Sequence, residues 1–574
     1  MKVELSKRIL RVRWGLGLIL GLVIFTWPLV LHPYQLVGHV QGEASNHLWM
    51  FWRAGQIGSV SNFPVGVDLP LMDPVNLPVY RAFSWGHPAL AFNAVWVFNL
   101  IVAFVGAFSL ARALGVARLA SVSAGVGCAF SPFLSGLGSF GITEAWPIGW
   151  LGIHFACLIW FSESRRKLHL LGAIVGLAAF LFSGWYSAVF AAVAEPMLLF
   201  YLVRRGTPLG GLVLQAVAAG LLVLPRFLSF LSERDIWADR WGNVMHAQSV
   251  SAGRWDAWRE LPRSGADALN LVLPSTFDVP VSKSVYLGLG LLFFAIMAGK
   301  RARVLWLWSA PFLLLSLGLT LSVAGFHQLG GVRLSMPAAW LVALFPPLEG
   351  LSHWFRALAP ATLFLAVAAG MGVERLAKKR PSWLWIAPVV LLADSVFLSQ
   401  TPWPRSQFSI EPPVVYSQLQ VGGEVPSRAL LQLPIHNSRR EFTLDEPRVY
   451  NRWQPVHGLP VAENYEGIDA VLDQNKLVQM LQQVCSDDSV EGPGLTRVSQ
   501  EMWLGDLRKK GFGYVVVHGV SQREPMDAWQ CGRSGSDRSR RVAVANDVNG
   551  ILAELLGAPQ AVGGGDALYV LSDP

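Results

Sequence analysis

Long apolar stretches broken by short polar links fill the first 400 residues. Eleven of them, at 14–31, 90–111, 119–135, 145–161, 168–183, 187–203, 209–226, 285–299, 303–322, 357–374 and 383–399, have the length and continuous apolarity of membrane-crossing helices. The stretch 168–203 is too long for one crossing, and Ser183, Gly184, Trp185, Tyr186 and Ser187 read as the tip of a hairpin within it. The first segment has a basic start and an apolar body without a small-residue cleavage site, so it reads as an uncleaved anchor. After residue 400 the pattern changes. Pro402, Pro404, Pro412 and Pro413 mark a linker. Short β-rich runs follow at 430–433, 514–518 and 568–571, with helical periodicity at 475–484 and 550–556. The pattern predicts a polytopic α-helical membrane domain at 1–399, with large outer loops at 32–89 and 227–284, followed by a soluble α/β domain at 400–574.

Composition sharpens this picture. Of 574 residues, 53% are hydrophobic and only 15% are charged, against about 25% charged in a soluble domain, too few to clothe a soluble fold of this size. The net charge of +8 comes largely from short basic clusters between apolar segments: Lys7, Arg8, Arg11 and Arg13; Arg112 and Arg118; Arg165, Arg166 and Lys167; Arg204 and Arg205; Lys300, Arg301 and Arg303; Lys378, Lys379 and Arg380. With the N-terminus cytoplasmic, all of these fall on the cytoplasmic side of an eleven-span chain, as positive-inside topology requires. The two large loops and the tail then lie outside. No basic run is interleaved with aromatics in the manner of a nucleic-acid groove, so no nucleic-acid partner is expected.

Candidate chemistry is sparse. The chain has no P-loop, dinucleotide fingerprint, His-Glu-x-x-His motif or paired Cys-x-x-Cys. Cys485 and Cys531 lie in the outer tail and are candidates for a disulfide, while Cys128 and Cys157 lie in spans and read as apolar packers. Gly17 and Gly21 form one Gly-x-x-x-Gly pattern, read as helix packing. Two acids, Glu195 and Asp394, fall inside spans, where a carboxylate is costly and marks a functional hypothesis. The first outer loop is richest. Glu43 follows the first span by about a dozen residues, with Leu48, Trp49, Phe51 and Trp52 behind it to dock at the interface. His47 is a candidate substrate contact, and Asp68 and Asp73 follow in a turn-rich stretch that would suit turn-forming or substrate-binding carboxylates.

Several stations along the chain resemble the GT-C superfamily of membrane glycosyltransferases, and most closely its YfhO-like bacterial branch. Gly42-Glu43 followed by His47-Leu48-Trp49 resembles the start of that family's first outer loop, and Phe63-Pro64 through Gly66 its next turn. Asn99 and Ala111-Arg112-Ala113-Leu114 resemble features of its second span. Phe130-Ser131-Pro132, Gly141 and Glu144 resemble a later passage. Tyr286 through Leu289, Pro346 through Gly350, and Phe355-Arg356 through Pro360 follow in the family's order, with Gln432-Leu433-Pro434 and Tyr514 through His518 in the tail. Two departures stand out: Glu43 occupies the place of the family's Asp, and Ala361-Thr362 follow Pro360 where a second Arg would stand.

The resemblance implies transfer of a sugar from a polyprenyl-phosphate carrier to a glycan, lipid or protein acceptor on the periplasmic side of a bacterial inner membrane. Glu43 would take the acceptor's proton, Arg356 would hold the departing phosphate, and Glu144 would hold the acceptor or a divalent metal such as Mg or Mn. No nucleotide cofactor is implied. Two other readings stay open: a GT-C-shaped protein without catalysis that serves envelope assembly, and a lipid or glycan transporter (flippase). The lack of an internal repeat weighs against the transporter.

Overall fold

The computed structural model describes residues 15, 17–39, 42–54, 73–228, 265–274, 285–326, 332–345, 348, 351, 353–420, 429–433, 453–460, 463–464, 467–468, 504–518, 538–563 and 566–571. These divide into two compact units. One joins Met1–His39 to Met72–Gln407, and the other joins Val40–Leu71 to Phe408–Pro574.

The first unit is a helical bundle. Helix α1 spans 17–25 and ends ahead of Pro28, whose fixed ring cannot continue it. The ten-residue α2 (Ala44–Arg53) belongs to the other unit. The bundle continues with α3 (Leu77–Ser84), α4 (Pro88–Ala113), α5 (Arg118–Ala129), α6 (Pro132–Phe140), α7 (Ile148–Ser164), α8 (Lys167–Phe182), α9 (Trp185–Arg204), α10 (Leu209–Leu228), α11 (Leu289–Met297), α12 (Arg303–Ser316), α13 (Pro337–Leu344), α14 (Leu358–Ala377) and α15 (Trp383–Ala393). Among the described residues, six helical stretches are long and apolar enough to cross a membrane: Pro88–Ala113, Arg118–Phe140, Thr143–Ser164, Trp185–Arg204, Leu209–Leu228 and Trp354–Ala377. The chain is a multi-pass membrane protein. The other five predicted spans carry shorter described helices, α1, α8, α11, α12 and α15. One predicted span, 119–135, is broken by the start of a new helix at Pro132.

The Gly17 and Gly21 pattern does not make a close crossing in this bundle. A methyl group on Gly21 would meet only the side chains of Phe130 and Leu392, at ordinary contact distance. Tight crossings lie elsewhere: a methyl on Gly372 of α14 would lie 1.8 Å from the Phe294 carbonyl oxygen of α11, and between α4 and α7 a methyl on Gly149 would lie 2.1 Å from the Val102 carbonyl oxygen. A methyl on Gly106 would lie as close to that of Gly149. Only glycine admits backbones at that range.

The basic loops that the charge pattern assigns to one side meet at common helix ends. Arg301, beyond α11, pairs with Glu374 near the end of α14 and donates to the Gly115 carbonyl beyond α4 at 3.0 Å. Arg205, beyond α9, pairs with Glu163 of α7 at 3.4 Å, and Arg165 donates to the Gly206 carbonyl at 3.2 Å.

The second unit is built on a four-stranded mixed sheet. Strands β1 (Ala429–Leu433), β2 (Phe512–Val517), β3 (Ala561–Gly563) and β4 (Asp566–Val570) lie in the order β1-β2-β4-β3, with β1 and β2 parallel and the other pairs antiparallel. The period of two gives the sheet two apolar faces. Leu431, Leu433, Val515, Val517 and Tyr569 pack with Val548 and Leu552 of α16 (Arg538–Leu556). Leu430, Val516 and Leu568 pack with Val415, Tyr416, Trp453 and Leu459. The three β-rich runs of the tail are thus strands, and the helical run at 550–556 lies in α16. The run at 475–484 lies outside the described residues. The first-loop segment that carries Glu43 groups with this unit rather than with the bundle, a division the apolar pattern alone did not contain.

Candidate functional site

The site of the helical unit is assembled where three helices begin. The Phe130-Ser131-Pro132 passage is a helix start: the Ser131 hydroxyl accepts from the Leu134 N–H at 3.3 Å, and Pro132 takes the first-turn place where no N–H is required. Gly141, at φ 72°, stops α6 in the left-handed conformation that costs glycine least. The chain then turns through Thr143–Ala145 into α7, and this turn carries Glu144. A second turn, Trp354–Ala357, leads into α14 and carries Arg356. The Glu144 carboxylate accepts a hydrogen bond from the Arg356 guanidinium. Both side chains are buried, at 7% and 4% residue exposure.

Tyr186, in the first turn of α9, completes the arrangement. The Arg356 guanidinium carbon sits 4.6 Å from the centre of its ring, within cation–π range, and its hydroxyl accepts from the His353 N–H at 2.8 Å. Glu144, Tyr186 and Arg356 therefore stand at the N-terminal ends of α7, α9 and α14. The helix dipoles place partial positive charge at each of those ends. A carboxylate is stabilised there and a guanidinium is not, so a buried Arg356 at that place needs an anion beside it. Glu144 supplies one.

Asp73 is brought into a different construction. It is buried ahead of the turn Pro74–Asn76, where the Asn76 amide donates to it at 2.6 Å. Asn99 of α4 in turn donates to the Asn76 side-chain oxygen at 2.8 Å and to the Val95 carbonyl at 2.8 Å. This chain ties the end of the first outer loop to α4, and it is how Asn99 of the family-like pattern is used. A small cavity of about 10 Å³ lies beyond it, lined by Trp96, Asn99, Leu100, Leu134 and Trp146, with room for about one water.

The acids inside the spans have partners. Glu195 lies 2.7 Å from Nε2 of the fully buried His154, whose Nδ1 donates to the Ala173 carbonyl at 2.8 Å. A carbonyl only accepts, so Nδ1 carries hydrogen and Nε2 shares one proton with Glu195. Asp394 accepts from the Tyr286 hydroxyl and from the Gly290 N–H, both at 2.8 Å, and so caps the first turn of α11. Both acids bind neighbouring helices together.

In the second unit, Glu43 stands at the N-terminus of α2, where the helix dipole favours a carboxylate. His47, one turn on, brings Nε2 within 3.4 Å of it. His47 is buried and Glu43 is a quarter exposed, so the imidazole backs a carboxylate that still reaches solvent. Asp68, Cys485 and Cys531 lie outside the described residues. Cys128 and Cys157 are free thiols. Among the described residues no group of three or more His, Cys, Asp or Glu side chains is arranged to hold a metal ion.

The pairings were invisible in the sequence for the most part. Tyr186 read as an aromatic hairpin tip, and only Gly184 before it marked a helix start facing the site. His154 carries a signal in the sequence, since a histidine in a predicted span, like the acids, demands a partner.

No known protein family's profile matches the chain, and no curated protein matches it. Solved structures do. A variant form of the arabinofuranosyltransferase AftD from Mycobacteria aligns over 98% of this chain with a TM-score of 0.51 at 15% identity. This chain covers 41% of that protein, so it spans about two-fifths of its length. ArnT from Cupriavidus metallidurans bound to undecaprenyl phosphate aligns over 98% of this chain and 99% of its own, at 11% identity and a TM-score of 0.47. Over its aligned length the chain shares the fold of that AftD structure.

Proposed function

We propose that the chain is a glycosyltransferase of the bacterial inner membrane that moves a sugar from a polyprenyl-phosphate carrier to a periplasmic acceptor. In this reading the chain crosses the membrane eleven times, with its N-terminus cytoplasmic and its tail periplasmic. The observation that carries the proposal is the buried Glu144–Arg356 pair at the meeting of three helix N-termini. A guanidinium held there by a carboxylate is poised to accept a phosphate in its place. Arg forms the bidentate contact that a phosphate oxygen pair requires, and the helix ends add to the attraction.

The chemistry is a single displacement. The acceptor hydroxyl oxygen forms a bond to the anomeric carbon as the bond from that carbon to the phosphate oxygen breaks. Its proton passes to Glu43, with His47 holding the carboxylate, and the lipid phosphate leaves against Arg356. Inversion at the anomeric carbon follows. Glu144, released from Arg356 as the phosphate enters, is free to hold the acceptor or a divalent metal.

A transporter would use Glu195 and Asp394 along a polar path, yet each is spent on a structural bond. The scaffold reading retains one supporting observation, that Glu144 and Arg356 pair with each other inside the bundle. Cells lacking the gene and complemented with Glu43→Gln separate these readings. Envelope glycan analysed by mass spectrometry should lose the product while the protein accumulates normally. Full product with Glu43→Gln, Glu144→Gln and Arg356→Ala alike would overturn the proposal in favour of the scaffold.

A further inference from the structure

Helix α2, which carries Glu43, is ten residues long, and an isolated helix of that length is marginal in water. Its place must be fixed by what it touches. Trp49 is fully buried and its indole N–H donates to the Oε1 of Gln454 at 2.5 Å, a bond between residues 405 positions apart in sequence. Gln454 is also fully buried, and its Nε2 donates to the Leu459 carbonyl at 3.0 Å. The strap from 453 to 460 is folded on itself: the Leu459 N–H donates to Nδ1 of His457 at 3.1 Å. It is then fastened to the sheet, where the Leu430 N–H of β1 donates to the Pro460 carbonyl at 2.8 Å. A continuous line of hydrogen bonds thus runs from α2 through Trp49, Gln454 and the strap to β1. Glu43 lies six residues before Trp49, about 9 Å along the helix axis.

We infer that the tail unit holds the candidate base in place, with Gln454 as a positioning residue that acts on Glu43 through Trp49 and α2. The inference rests on the role given to Glu43 above. It assigns the tail a purpose other than gripping the acceptor: the tail is the mount for the helix that carries Glu43. The geometry suits that task. The amide of Gln454 uses its acceptor on α2 and its donor on the strap, so it cannot be replaced by a group with one function alone. Removing either partner leaves a buried polar group without its bond, which is the costly case.

The test uses the full-length protein in lipid nanodiscs and hydrogen–deuterium exchange read by mass spectrometry. Gln454→Met and Trp49→Phe should each speed exchange across 44–54 about tenfold, while 429–433 and 512–518 keep their protection. The double variant should exchange more slowly than the product of the two single effects, since the two side chains share one bond. In cells, each single variant should lower the glycan product with protein amounts unchanged. Unchanged exchange at 44–54 overturns the inference, as does acceleration spread equally over the strands, which would show general loosening of the tail. The glycosyltransferase reading fails separately: if Glu43→Gln leaves the product intact while exchange at 44–54 still responds to Gln454→Met, the mount stands and the base does not.

Discussion

Removing the carboxylate from the Glu144–Arg356 pair should cost the protein more stability than removing the guanidinium. Both side chains are desolvated, at 7% and 4% exposure, so neither charge is repaid by water once its partner is gone. Breaking a buried pair from one side costs about 3–5 kcal/mol. The two sides differ. With Arg356→Met, the remaining Glu144 sits at the positive end of α7, worth about 0.3–2 kcal/mol, and it can take up a proton. With Glu144→Gln, the remaining guanidinium sits at the positive end of α14 and stays charged, with the Tyr186 ring beneath it worth about 0.5–2 kcal/mol in its favour. Glu144→Gln should therefore fall at the upper end of that range and Arg356→Met at the lower. The double variant Glu144→Gln/Arg356→Met removes both charges of the pair and should return to within about 1–2 kcal/mol of the parent. Reversible unfolding in mixed micelles measures all three, and envelope glycan analysis reads function beside it. The double variant should recover the fold and not the product. Recovery of both would show that the pair serves the bundle alone. Single variants that lose less than about 1 kcal/mol would show that the charges are not buried.

Two further outcomes follow from groups outside the pair. Burial first, and the neighbouring His518 second, hold the His457 imidazole down to about 3, so below the ordinary value of about 6.5 the unfolded chain binds a proton that the folded strap refuses. Stability present above pH 6.5 is lost as the pH falls toward 3, by about 2 kcal/mol between pH 7 and pH 5. Trp453, whose ring centre is 5.1 Å from that of His518, reports it as a fluorescence-detected denaturant midpoint, and His457→Gln should flatten the profile. Asp394→Asn keeps one acceptor of the two that cap α11 and should cost about 1–3 kcal/mol in a thermal-unfolding measurement while leaving the glycan product intact. Loss of product at unchanged stability would instead mark Asp394 as part of a proton path.

Much of the helical unit was legible because its signals are local. Apolar runs set most of the helices, but the run at 119–135 concealed that Ser131-Pro132 starts a new helix inside it, which Gly141 stops ahead of the turn that presents Glu144. The tail's strands showed in runs of β-branched and aromatic residues. Crossing length was less legible. Continuous apolarity at 285–299 and 383–399 does not reveal that α11 and α15 are short, nor that the second runs on into a π turn at Asp394–Leu398. The contacts that make the site were hidden for another reason. Trp49 with Gln454, Glu144 with Arg356 and His154 with Glu195 join residues 405, 212 and 41 positions apart, and no periodicity in a single sequence records such a meeting. The close crossing at Gly106 and Gly149 was missed likewise, since the two glycines lie on different helices and make no local motif.

The central claim is that Arg356 receives a polyprenyl phosphate. Native mass spectrometry of the protein purified in nanodiscs containing undecaprenyl phosphate tests it, with Glu144→Gln/Arg356→Met as the folded comparison. The account predicts one retained undecaprenyl phosphate on the parent and at least about tenfold weaker retention on the double variant. Equal retention by both would contradict it.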